Sequence, residues 1–106
     1  MRDYIEVESA IRAIPGIITV TPYRTNNLIT PWVTGFIPLV DGIEAEITYG
    51  TAFGGGYSVG FTLFKNQKLM PIEDREAYDK CFMDYEIKQI AAYAETVKEQ
   101  LKKAEV

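Results

Sequence analysis

Apolar positions recur every three or four residues at the two ends of the chain and alternate with polar or small residues through its middle, a change of period that predicts helix, sheet, helix. Tyr4, Val7, Ile11 and Ile14 form one stripe with Glu6, Glu8 and Arg12 away from it, so a short amphipathic helix is expected over residues 3–14. Pro15-Gly16 should end it, because proline cannot continue a helix and glycine tolerates the left-handed conformation that closes one. Ile17, Ile18, Thr19, Val20 and Thr21 are β-branched and predict a strand over residues 17–24.

Asp41-Gly42 lies between two apolar segments and is the strongest hairpin signal in the chain. A type I′ turn there would set Val40 against Ile43, Phe36 against Ile47, Thr34 against Tyr49 and Trp32 against Thr51. A three-residue loop at Gly54-Gly55-Gly56 would pair Phe53 with Tyr57, Tyr49 with Phe61 and Ile47 with Leu63, which keeps the large side chains in phase. The expected product is a four-stranded antiparallel meander. Its core face would carry Trp32, Phe36, Ile47, Tyr49, Phe53, Tyr57, Val59, Phe61 and Leu63. Its other face would carry Val20, Val33, Gly35, Ile37, Glu46, Thr48, Thr62 and Phe64, with Gly50 directly across from Gly60.

Over residues 73–103 the positions Met83, Ile87, Ile90, Ala94, Val97 and Leu101 step by four and three, which predicts a long heptad-like helix. Unbroken, it would run roughly 45 Å at 1.5 Å per residue, against about 27 Å for an eight-residue strand. Either it breaks near Asp84, where a second apolar set of Tyr78, Cys81, Phe82 and Tyr85 points another way, or it overhangs the sheet and joins a second copy through Ile90, Val97 and Leu101. The fold class expected is α+β, a single domain over residues 1–106: short N-terminal helix, meander, and long C-terminal helix packed on one sheet face.

Charge sharpens that picture. Only Arg24, Asp41, Glu44 and Glu46 are charged between Ala13 and Phe64, so the predicted sheet is almost bare while the predicted helices are polar. Two helices can cover one face but hardly both, which leaves the other for a partner. The net charge of −4, with scattered lysines and arginines, argues against nucleic acid or an anionic membrane surface as that partner. No apolar run has signal-peptide or membrane-spanning length, and the single cysteine, Cys81, excludes an intramolecular disulfide; a cytoplasmic location follows as the expectation. At 106 residues the core is near the small end for an independent domain, which favours a homo-oligomer, a dimer first.

The chemistry available is narrow. The chain contains no histidine, so the commonest general base and transition-metal ligand are missing, and no metal, cofactor or catalytic residue is expected. Cys81 lacks an activating base and has Asp79, Asp84 and Glu86 nearby, so it reads as an apolar filler. The Gly54-Gly55-Gly56 run is followed by a strand pattern and by no Gly-Lys-Ser or Gly-Lys-Thr, so it reads as a hairpin tip in preference to a phosphate loop. Glu44 and Glu46, two apart, read as a solvated strand end, since an acid-base pair needs burial or coupling to separate its pKa values.

The candidate binding residues are Arg24, Asn26, Asn27, Trp32, Phe53, Gly55 and Tyr57, because the first and third connections of a meander lie at one end of the sheet and assemble a polar-aromatic edge there. The leading expectation is a non-enzymatic protein-binding module. Its size, acidity and lack of histidine would suit an accessory protein of a phage or mobile element that inhibits a host protein by occupying its surface. The alternatives are a structural subunit of a symmetric assembly and an oligomer that binds or sequesters a small molecule between Trp32, Phe53 and Tyr57.

Overall fold

Along the three central strands burial alternates residue by residue, and that alternation locates everything else. In the computed structural model, which describes residues 4–23, 32–51 and 57–104, Val33, Gly35, Ile37 and Leu39 are buried and their neighbours Thr34, Phe36 and Pro38 are not. The same holds for Ala45, Ile47 and Tyr49 against Glu44, Glu46 and Thr48, and for Val59, Phe61 and Leu63 against Ser58, Gly60 and Thr62. One face is dry and the other wet, the signature of an antiparallel sheet covered on one side.

The elements in order are α1 (Tyr4–Arg12), β1 (Ile18–Tyr23), β2 (Trp32–Val40), β3 (Ile43–Thr51), β4 (Tyr57–Lys65), β5 (Lys68–Leu69), α2 (Ile72–Arg75), β6 (Lys80–Met83), a 3-10 turn (Asp84–Glu86) and α3 (Lys88–Ala104). The fold is α+β, with the expected helix, meander and C-terminal helix. Strands β1 to β4 run antiparallel in chain order, and β5 and β6 share the outer edge of β4. Two strands thus extend the expected four.

The long C-terminal helix is broken. Residues 80–83 are a strand on the edge of β4, the chain turns at Asp84–Glu86, and only Lys88–Ala104 is the final helix. Its 17 residues span about 26 Å at 1.5 Å per residue, which fits strands of nine residues at about 30 Å. No overhang results. Ile90, Val97 and Leu101, expected at a contact between copies, are buried in the chain's own core together with Ala94. The stripe packs on the sheet because a helix of sheet length can bury its whole apolar side there. From α1, Val7, Ile11 and Ile14 join the same cluster.

The register of β2 differs from expectation by one residue. Val40 does face Ile43, but the pairing slips between there and Pro38, so Phe36 lies opposite Glu46, Gly35 opposite Ile47, and Val33 opposite Tyr49. In the Asp41-Gly42 turn only Gly42 takes a positive φ, of 72°, whereas a type I′ turn requires it at both positions. A strand alternates sides every residue, so this slip moves Val33, Gly35 and Ile37 into the core and Phe36 out of it. The turn with both central residues at positive φ is Asn66-Gln67, at 51° and 67°, which joins β4 to β5.

The β3/β4 register differs by two, which preserves the faces. Thr51 pairs with Tyr57, Tyr49 with Val59, Ile47 with Phe61 and Ala45 with Leu63. The expected three-residue loop itself lies outside the described residues. Gly60 pairs with Thr48 and Gly50 with Ser58, so the two glycines do not face each other.

Strand β1 carries a bulge between Ile18 and Thr21, with Thr19 at φ 54°. A β-branched residue rarely adopts that conformation, and here the extra residue lets both Ile17 and Val20 pack toward the core. They lie against Gly35, where a Cβ would come within 2.7 Å of Ile17 Cδ1. Val20, expected on the open face, is thus partly buried against the core.

Candidate binding face

The register of β1 to β6 arranges the uncovered face in rows across the strands. One row runs Pro38, Glu44, Phe64, Leu69, and the next runs Ile18, Phe36, Glu46, Thr62. A third runs Thr21, Thr34, Thr48, Gly60, Cys81. None of these residues is buried. Ile18 and Leu69 are 48% and 52% exposed, and Met83, at the end of β6, is 45% exposed.

Phe36 and Phe64 come from different rows and different strands, yet their rings meet edge to face with centroids 5.7 Å apart. To touch they reach diagonally over β3, between Glu44 and Glu46. The pair forms a ridge that divides the face. On one side lies a hollow of about 420 Å³ that includes Ile18, Glu44 and Gln67. On the other lies one of about 430 Å³ that includes Glu46, Thr48, Gly60, Thr62 and Leu69.

Neither carboxylate has a partner among the described residues. The Thr48 hydroxyl, beside the second hollow, is buried without a hydrogen bond among the described residues. Such an oxygen loses its water without compensation, at a cost of about 1–3 kcal/mol. The expectation of a plain solvated strand end for Glu44 and Glu46 thus understates the site: both side chains are partly buried and flank an aromatic pair.

The far wall of the second hollow is fixed by a polar chain. Thr62 Oγ1 donates to Asp79 Oδ1 at 2.7 Å, Arg75 pairs with the other Asp79 oxygen, and Arg75 Nε donates to the Met70 carbonyl at 2.9 Å. This network occupies the gap between β5 and β6 along β4. It was not foreseen, because a helix over residues 73–103 would have carried Arg75 and Asp79 away from the sheet. The available signal was the separate direction of Tyr78, Cys81, Phe82 and Tyr85.

On the covered face the same segment is anchored by Tyr93, which donates to the Tyr78 carbonyl at 2.8 Å and packs edge-on against Phe61 and Phe82. Burial, then the negative charge of Asp79 and then Tyr78, pushes the Tyr93 phenol pKa upward. The Lys80 ammonium lies over the Phe82 and Tyr93 rings, 5.2 and 5.0 Å from their centroids. Its charge is therefore held against those two rings and leaves the carboxylates uncompensated.

Of the residues proposed from sequence, Arg24, Asn26, Asn27, Phe53 and Gly55 lie outside the described residues. Trp32 opens β2 opposite Tyr23, and Tyr57 opens β4 opposite Thr51, so their backbones lie at one end of the sheet, as a meander requires. Among the described residues no group of three or more Asp, Glu or Cys side chains could hold a metal ion, and no helix is long and apolar enough to cross a membrane.

A second hollow system, about 370 Å³ between α1 and the start of α3, is lined mainly by Ala10, Ala13, Ile14, Ile87 and Ala91 beside the exposed Tyr85. Its lining offers little polar chemistry. The face over β3 is the better site, since it combines exposed apolar area with two carboxylates and a hydroxyl that have no partner among the described residues. No family model matches the chain, and neither the curated proteins nor the solved structures contain a significant match to it.

Proposed function

We propose that this chain is a non-enzymatic protein-binding module that acts by occupying another protein's surface with the open face of its sheet. The observation that supports the reading is the one-sided burial of β2, β3 and β4, which leaves the Phe36–Phe64 ridge, Ile18 and Leu69 in contact with solvent. Contiguous apolar area of this kind, edged by polar groups, is typical of interaction sites and uncommon on surfaces that meet only water. The aromatic pair supplies rigid area at low entropy cost and is the natural centre of such a contact. Inhibition of the bound protein would follow from simple occlusion and requires no activated group on this chain.

A photocrosslinking residue at Leu69, on the open face, compared with one at Gln100, on the exposed side of α3, tests this in a native extract. The expected result is one discrete adduct from position 69 only. The captured protein, once purified, should bind the chain and lose at least about tenfold in affinity toward Phe36→Asp/Phe64→Asp. Equal labelling from both positions, or a captured protein indifferent to those two substitutions, would rule the reading out.

A further inference from the structure

We infer that the open face recognises a helix of its partner that carries two basic side chains about one turn apart, one entering the hollow at Glu44 and the other the hollow at Glu46. This rests on the protein-binding reading above and specifies the chemistry of its partner. The two carboxylates stand on the same strand, two residues apart, and both lack a counter-charge among the described residues. Alternate residues of a strand are separated by about 6.8 Å. Side chains four apart on a helix lie about 5–6 Å apart at Cβ, a mismatch that long lysine or arginine stems absorb easily.

Two further observations fit the same occupant. The Phe36–Phe64 ridge separates the hollows, so each cation would also lie beside an aromatic ring. The chain as a whole carries −4, which attracts a basic surface at long range.

A helix suits this face better than a strand does. An added strand pairs through backbone groups at a sheet edge, whereas the face offers side chains, against which helices pack. A second copy of this chain is a poorer occupant: about a two-fold axis along β3, Glu44 and Glu46 would stack on their own counterparts, and like charges brought together at an interface cost several kcal/mol.

The probe is a pair of alanine-rich helical peptides, one with two arginines four positions apart, the other with glutamines in their place. They are titrated into the isotopically labelled chain by NMR. The arginine peptide should bind at least about tenfold more tightly, shift amides of β3 and β4 around Glu44, Glu46 and Thr62, and weaken with salt. Glu44→Gln/Glu46→Gln, checked for an unchanged melting temperature, should bring it to the level of its glutamine twin. Equal binding of the two peptides, or no effect of the double substitution, would overturn the inference. The protein captured by crosslinking separates the two readings. Dependence on Phe36 and Phe64 without dependence on Glu44 and Glu46 defeats only the basic helix, and dependence on neither defeats both. Self-association of the chain alone that vanishes in Glu44→Gln/Glu46→Gln would also overturn the assignment, by making the partner a second copy.

Discussion

On the covered face of the sheet Ala45, Ile47, Val59 and Leu63 are fully buried, whereas one position along the same strands Glu44, Glu46, Thr62 and Phe64 all keep contact with solvent. The backbone is common to both faces, so the contrast comes from side chains and from what lies over them. Under α1 and α3 the residues are almost all apolar, aliphatic and aromatic together, packed with Ile11, Ile90 and Val97. On the open face aromatic and acidic groups are interleaved, and they retain unmet interactions. Stability should therefore be concentrated on one face and recognition on the other.

The sharpest way to break that comparison is to place charge on the covered face. Val97→Lys/Leu101→Lys buries two ammonium groups without partners, which should exceed the roughly 5–15 kcal/mol available to a domain of this size. Far-UV circular dichroism should show an unfolded chain. A folded protein with an altered native mass would instead return these residues to a contact between copies. Next in size, Ile90→Ala should lower unfolding free energy by about 2–5 kcal/mol, through lost burial and the cavity left behind. Urea denaturation would measure it, and a loss below about 1 kcal/mol would contradict the packing of α3 on the sheet.

Tyr93 gives a smaller and pH-dependent effect. Because burial, helped by Asp79 and then Tyr78, raises its pKa above the usual 10.0, the folded state favours the neutral phenol. That contribution is complete below pH 10 and is lost as pH rises through the raised value. Tyr93→Phe should cost about 1 kcal/mol at neutral pH, from the hydrogen bond to the Tyr78 carbonyl, and should make the alkaline decline of the melting temperature shallower. An unchanged alkaline slope would remove Tyr93 as its source. The smallest expected effect lies on the open face: Glu44→Gln/Glu46→Gln should leave stability within about 0.5 kcal/mol. A larger loss would mean that these carboxylates support the fold.

Much of the architecture was legible as periodicity. The three-and-four spacing of Val7, Ile11 and Ile14, and of Ile90, Ala94, Val97 and Leu101, marks faces that are buried in the structure. The alternation through β4 and β3 placed Ile47, Tyr49, Val59, Phe61 and Leu63 correctly, even with the wrong register, since a two-residue error leaves each side chain on its own face. The one-residue slip in β2 had the opposite effect and hid the ridge by assigning Phe36 to the core. The segment of β5, α2 and β6 was illegible for another reason. Two- and four-residue strands carry too few positions to establish a period, and Phe82 alone is buried in β6.

By itself the sequence determined that this is a small acidic α+β domain with a nearly uncharged sheet and no histidine-based chemistry, because these are matters of composition and of repeating local pattern. Only the tertiary structure decided that Phe36 and Phe64 meet across β3 between the carboxylates of Glu44 and Glu46, and that Arg75 and Asp79 return to wall the hollow beside Thr62. Both depend on register and on a chain reversal at the edge of β4. They are set by the competition of whole strands for the core, which no window of local sequence contains.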